Sequence, residues 1–261
     1  MSWKFAVSTL GMPGTPVRQA ARVAREHGCH GVELRVHPDE EVRLGMSSRK
    51  AADTRGLIEG EGLEVACLAG YAKVCAPGPD ESPVAELRSL VELAGLIGAP
   101  AVRVFPGGEP GEDGPARERI GAVLPDLERQ GVTLLVETHD SHPTGGLARR
   151  LVEPFGAPET VAVLWDALHP WRTGESPTET RNLLGDYLGY FQLKDARRAD
   201  PWTPVPPGEG DVPLAECGPL LRSWSGWISL EWERAWYPSI DPVPVPLRAA
   251  AEWFEHWHRP E

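Results

Sequence analysis

The sequence predicts a single (β/α)₈ barrel. Two patterns carry that expectation: short β-rich runs alternate with longer stretches of helical spacing, and the alternation repeats eight times without a break in composition. A third is length, since the chain's 261 residues match the roughly 250 of such a barrel. Residues 1–261 are therefore read as one domain. The rival, an open doubly wound sheet, usually carries a glycine-rich phosphate loop after its first strand. Here that place holds Gly11-Met12-Pro13-Gly14, which lacks the GxGxxG spacing and has proline in its middle.

The expected strands are Phe5–Leu10, Gly31–Val36, Leu63–Ala69, Ala101–Phe105, Thr133–Thr138, Thr160–Trp165, Tyr190–Lys194 and Trp227–Glu233. Each is a short Val/Leu/Ile-rich run bounded by turn residues. A helix is expected after each. Thr15–His27 gathers Val17, Ala20, Ala21, Val23 and Ala24 on one face, and Ser47–Gly60 opens on serine. Pro83–Ile97 repeats Leu87, Leu90, Val91, Ala94 and Ile97. Pro115–Gln130, Pro143–Val152, Ser176–Tyr187, Pro213–Trp224 and Pro246–His258 complete the series. Proline suits a helix start because its missing N–H has no intrahelical partner there. The Pro201–Pro207 and Pro238–Pro246 stretches read as stiff surface loops.

Composition narrows the function. A formal net charge of −12 is the wrong sign for phosphate binding, which excludes nucleic acid as a partner and disfavours an anionic membrane surface. No apolar run approaches the roughly 20 residues that span a bilayer. The N-terminus lacks the apolar core and cleavage site of a signal peptide. Cys29, Cys67, Cys75 and Cys217 form no CxxC pair, so buried free thiols and a reducing cytoplasm are expected. The expected partner is a small molecule, with a homo-oligomer left open.

The chemistry gathers in the second half of the chain. Glu137, Asp166, Gln192 and Glu231 each sit in or just past an apolar run. A carboxylate there is costly to bury unless it is paired or binds a cation. In a barrel the active site lies at the C-terminal ends of the strands. Glu33, Arg103, His139, His169 and Lys194 fall at or near such ends as well. Three acids and a neutral oxygen donor make a hard ligand set, suited to Mg²⁺, Mn²⁺ or Co²⁺ rather than thiolate-bound zinc. Such an ion polarises a carbonyl and its neighbouring hydroxyl and stabilises an enediolate. Glu137 or Glu231 is the expected base for the proton alpha to that carbonyl.

The segments AREHGCHGVELRV, AVRVFPGG, LLVETHD, VLWDALHP, FQLKDA and ISLEWE together resemble the xylose-isomerase-like barrels, the sugar phosphate isomerase/epimerase superfamily. The resemblance spans essentially the whole chain. It implies metal ligation by Glu137, Asp166, Gln192 and Glu231, with glutamine where many members have histidine. That glutamine is shared with hydroxypyruvate-isomerase-like and dehydroshikimate-dehydratase-like members. It implies a substrate-facing or supporting role for His139 and proton transfer by His169. Glu33 and Arg35 share a strand face and are expected to contact substrate or each other. Arg103 is a candidate carboxylate clamp, because a guanidinium binds carboxylates bidentately. Lys194 is a further substrate-binding candidate, or an ion-pair partner of Asp195. Trp165, Trp171, Trp202, Trp232 and Trp236 are candidate walls of the site.

The expected activity is metal-dependent isomerisation or epimerisation of a small ketose or hydroxy-keto acid through an enediolate. The alternative is a metal-dependent lyase of the 3-dehydroshikimate or inosose dehydratase type, which shares the first step.

Overall fold

Parallel strands buried on both faces read as continuous apolar runs, and the strands of this chain do so. The computed structural model describes residues 3–258. β2 (Gly31–Arg35) and β6 (Val161–Asp166) are buried at every residue. With β1 (Trp3–Ser8), β3 (Glu64–Lys73), β4 (Ala101–Phe105), β5 (Thr133–Glu137), β7 (Leu188–Leu193) and β10 (Gly226–Leu230) they close a parallel barrel in the order β1-β10-β7-β6-β5-β4-β3-β2.

The outer shell is made by α1 (Val17–Glu26), α2 (Ser48–Gly60), α3 (Glu81–Ile97), α4 (Gly114–Gln130), α5 (Gly145–Val152), α7 (Pro177–Leu184), α8 (Leu214–Leu221) and α9 (Pro244–His258). Local chemistry sets their ends. Ser47 caps α2 by accepting from the Lys50 amide, and Ser176 with Glu179 forms a reciprocal capping box on α7. Gly98 and Gly131 end α3 and α4 in the left-handed conformation that glycine adopts without strain.

The main hydrophobic core lies between strands and helices. The barrel interior holds a second, smaller cluster of Ala6, Ala66, Cys67, Ala101, Leu135, Ala162, Leu164 and Tyr190, packed on Trp227. Gly31 lets Trp227 close this end: a Cβ there would sit 2.6 Å from the Glu64 carbonyl and 2.7 Å from the indole ring. The opposite, C-terminal end of the interior is charged.

Two elements correct the sequence expectation. The proline-rich stretch is not simply a loop: β9 (Asp200–Val205) pairs antiparallel with β8 (Asp195–Arg197) as a hairpin outside the barrel. The prolines fit because a two-stranded ribbon leaves half its backbone groups facing solvent. A five-residue helix, α6 (Leu168–Arg172), follows β6 directly. Among the described residues no helix is long and apolar enough to cross a membrane, and all four cysteines are free and buried.

Candidate active site

Strand register levels the functional side chains. Gln192 lies opposite both Asp166 and Ser229, Ser8 opposite Glu33, and Glu137 opposite Leu164. Side chains from β2, β4, β5, β6, β7 and the residue after β10 thus converge on the C-terminal mouth. Glu33, Arg103, Glu137, Asp166, Gln192, Lys194 and Glu231 are all buried.

Glu137, Asp166 and Glu231 each place a carboxylate oxygen so that the three lie within 4.8 Å of one another. Gln192 joins them through its amide nitrogen, which donates to Glu231 Oε1 at 3.2 Å and Glu33 Oε1 at 3.1 Å. Its Oε1 is buried without a hydrogen-bond partner, as are Glu137 Oε2 and Asp166 Oδ2. A half-turn of the amide exchanges its two ends. Glu137 also meets His139 and His169 in a second cluster with ligand atoms within 4.8 Å.

Two cations stand against five acids. Lys194 Nζ donates to Glu231 Oε2 and to Glu233 Oε1, each at 2.7 Å, and lies 3.5 Å from Asp166 Oδ2. Arg103 places Nε 3.2 Å from Glu137 Oε2 and a terminal nitrogen 3.8 Å from Glu231 Oε1, while donating to the Gly70 carbonyl at 3.1 Å. Its guanidinium lies 4.1 Å from the centre of the Phe105 ring. With Glu33, Glu137, Asp166, Glu231 and Glu233 all ionised, three negative charges are left uncompensated by Arg103 and Lys194.

The proton affinities follow from that imbalance. Burial pushes Glu137 well above the carboxylate range, against the pull of Arg103. Burial raises Asp166 to about 6, opposed by Lys194. Glu33 is raised by burial and by the Glu231 charge. Glu231 is also penalised by burial, yet Lys194 and Arg103 outweigh this and hold it below its usual value. His169 falls well below the ordinary imidazole range through burial and the nearby positive groups, so it is neutral at pH 7. Its Nε2 lies 3.8 Å from both Glu137 Oε1 and Asp166 Oδ2.

The remaining candidates sit higher in the mouth. His139 lies between Phe105 and His169, tilted on the first and edge-on to the second, with ring centres 4.6 and 4.3 Å away, and its Nδ1 lies 2.8 Å from Asp140. Arg35 does not pair with Glu33. It reaches outward to Glu40 at 2.9 Å and the Tyr71 hydroxyl at 2.9 Å, leaving Glu33 to Gln192. Lys194 turns to Glu231 and Glu233 rather than to Asp195, whose carboxylate accepts four backbone amides of its own hairpin and the Gly208–Val212 turn.

Of the five tryptophans, only Trp202 and Trp236 are exposed and line the mouth. Trp165 packs edge-on against Phe191, and the Trp232 indole donates to the Asp241 carbonyl, so both are fixed in the fold. Trp171 is buried under Arg198. A cavity of about 140 Å³ opens above Lys194, lined by His139, His169, Arg172, Trp202, Glu233 and Tyr237. Residue-by-residue reading passed over Arg172 and Glu233. Arg172 had a signal: it follows His169 by three positions, one helical turn, and so shares its face.

A closed ring of eight parallel strands whose C-terminal mouth gathers buried acids makes the chain a (β/α)₈ barrel. It belongs to the xylose isomerase-like TIM barrel family, whose model matches residues 21–257. No curated protein sequence matches it. Among solved structures it is similar to the probable 3-DHS dehydratase AsbF involved in petrobactin synthesis from Bacillus anthracis. That structure is 19% identical, with a TM-score of 0.78 over 97% of this chain and 98% of that one. It is also similar to 3-keto-D-glucoside 4-epimerase, YcjR, from E. coli, at 16% identity and TM-score 0.78 over 97% and 99% of the two chains. A third is the IOLI protein with a bound zinc atom, at 14% identity and TM-score 0.77 over 97% and 99%.

Proposed function

We propose that the protein is a divalent-metal-dependent isomerase or epimerase of a small ketose or hydroxy-keto acid, working through an enediolate. The observation that carries this reading is the convergence of Glu137, Asp166 and Glu231, from three different strands, to within 4.8 Å. The buried oxygens of Glu137, Asp166 and Gln192 that accept no hydrogen bond point the same way, since buried polar atoms ordinarily have one. Glu137, Asp166, Gln192 through its Oε1, and Glu231 would hold the ion. All-oxygen donors favour Mn²⁺, Mg²⁺ or Co²⁺. When bound, the ion supplies Lewis-acid polarisation of a substrate carbonyl and adjacent hydroxyl.

The chain's own groups do the rest. Glu137 is the better base of the two glutamates, because Glu231 is locked by the Lys194 ammonium at 2.7 Å. Lys194 and Arg103 hold Glu231 ionised and orient it. Glu33 and Gln192 offer hydrogen bonds to substrate hydroxyls, and His139 positions His169 by ring contact.

One observation favours a second reading, a lyase of the dehydroshikimate or inosose dehydratase type. His169 is neutral, with Nε2 unpartnered in the mouth. A neutral imidazole can accept the alpha proton and then return it to a leaving beta-hydroxyl, so one residue serves both half-steps of an elimination. The similarity to a probable 3-DHS dehydratase agrees with this.

The test is solvent-deuterium uptake by ketoses, hydroxy-keto acids and dehydroshikimate with Mn²⁺ or Mg²⁺ added. Wild type is expected to exchange at least one of them, and Glu137→Gln to lose roughly 10²–10⁴-fold in rate. Net isomer or net loss of water then separates the two readings. No exchange with any member of the panel would overturn both.

A further inference from the structure

The two arginines that the sequence offers as substrate contacts are already engaged. Arg103 is held by Glu137, Glu231 and the Gly70 carbonyl, and Arg35 by Glu40 and the Tyr71 hydroxyl. Both are buried. Lys194 is shared among Glu231, Glu233 and Asp166. Each of these three cations is already paired with carboxylates of the protein.

Arg172 differs. It ends α6, one turn beyond His169, and lines both cavities of the mouth, of about 140 and 330 Å³. It is partly buried, and among the described residues no carboxylate lies within ion-pair distance of its guanidinium. Its neighbour is the indole of Trp202, with 3.3 Å from the guanidinium carbon to the ring centre. Trp202 comes from the β8–β9 hairpin, so two separate elements hold the group in place. A stacked guanidinium keeps its in-plane N–H donors free, and those donors match the two oxygens of a carboxylate. A cation in a partly desolvated place needs an anion to offset the cost, and Asp166 and Glu233 attract this one only from beyond ion-pair distance, too weakly to make up the cost of its burial.

We infer that Arg172, stacked on Trp202, is the anion-binding element of this site and seats a carboxylate carried by the substrate. A carboxylate is favoured over a phosphate because a phosphate dianion is usually met by several donors or a nest of backbone amides, and here one guanidinium stands alone. The inference rests on the enolisation reading above and deepens it: the substrate is a hydroxy-keto acid rather than a neutral ketose. Arg172 sets specificity from the rim while the proton is moved deeper in the mouth.

The test compares ligands that share two adjacent oxygens and differ in one charged group. Catechol, 3,4-dihydroxybenzoate and 3,4-dihydroxyphenyl phosphate are titrated into the Mn²⁺-loaded protein, followed by calorimetry and by the fluorescence of Trp202. In wild type the benzoate is expected to bind roughly 10- to 100-fold more tightly than catechol, the range of a charge-assisted pair. Arg172→Gln is expected to erase that preference and leave catechol affinity unchanged, which also shows that the variant is folded. Arg172→Lys should keep part of it, because the charge remains while the fork is lost. Equal affinity for catechol and the benzoate in wild type would overturn the inference and leave the enolisation reading standing. So would a preference for the phosphate over the benzoate, or a benzoate preference that survives in Arg172→Gln. Failure of catechol itself to bind the Mn²⁺-loaded wild type would count against the enolisation reading and this inference together.

Discussion

Lys194 is the residue on which the charge balance of the mouth turns. Its ammonium reaches three carboxylates, from Asp166, Glu231 and Glu233, within 3.5 Å. Such a group is costly to desolvate, and the acids drive its proton affinity well above that of a free lysine. Removing one partner of a buried ion pair leaves the others uncompensated, at roughly 3–5 kcal/mol. Lys194→Met preserves much of the stem volume and deletes only the charge. We expect it to lower unfolding stability by about 3 kcal/mol in chelator-treated protein, read by urea denaturation. Added Mn²⁺ should restore a large part, because a dication answers the same excess of negative charge. Unchanged stability in chelator would mean that the ammonium is solvated and the acids balanced elsewhere.

At the scale of elements, the β8–β9 hairpin joins fold to site. Asp195 anchors its base by accepting the amides of Ala196, Gly208, Gly210 and Val212 at 2.9, 2.8, 3.0 and 3.1 Å. The turn can approach this closely because Gly210 has no side chain: a Cβ would come within 2.6 Å of the Ala196 carbonyl and closer still to Asp195 Oδ1. Gly208 stands at φ +92°, a conformation glycine tolerates. Gly210→Ala should therefore cost roughly 1–3 kcal/mol through overpacking. It should also loosen Trp202 from Arg172, read as a change in tryptophan fluorescence that is absent in a Trp202→Phe background, at temperatures where the barrel is still folded. An unaltered Trp202 signal would show that the hairpin is set by its own pairing.

Sequence showed the eight barrel strands because each is buried on both faces and so shows as an apolar run. The hairpin was hidden because Pro201 and Pro204 read as ladder breakers, and its polar faces carry no alternation that marks a core. The convergence of Glu137, Asp166 and Glu231 was legible because strand ends share one rim. The partners of Arg35 were not, since Glu40 lies in a loop whose path no spacing encodes. Arg172 was missed for a related reason: what distinguishes it is that no acid comes within ion-pair distance while an indole covers its face, a fact of three-dimensional neighbours.

For the whole molecule, the barrel divides its labour between its layers. The strand–helix shell carries most of the apolar burial, while the interior pairs a small alanine-rich cluster with a mouth of unlike and like charges. The mouth therefore works against stability, in the way functional sites commonly do. Asp166 shows the sign: its proton affinity rises to about 6, so the ionised form is disfavoured where it sits. Asp166→Asn keeps the shape and removes one of the excess charges. In chelator at pH 8 this variant should melt no lower than wild type. Mn²⁺ should act unequally on the two proteins. An ion at about 100 times its dissociation constant stabilises the folded state by about 2.7 kcal/mol. For a chain of this size that is a rise of roughly 5–10 °C in Tm. Wild type should show this rise, and Asp166→Asn should lose most of it, in scanning calorimetry with and without the ion. Equal rises in both would place the ion away from Asp166 and remove the observation on which the proposed chemistry rests. A wild-type rise lost in the variant, together with an undiminished chelator-state Tm, would show that the fold bears these acids for the cation they gather.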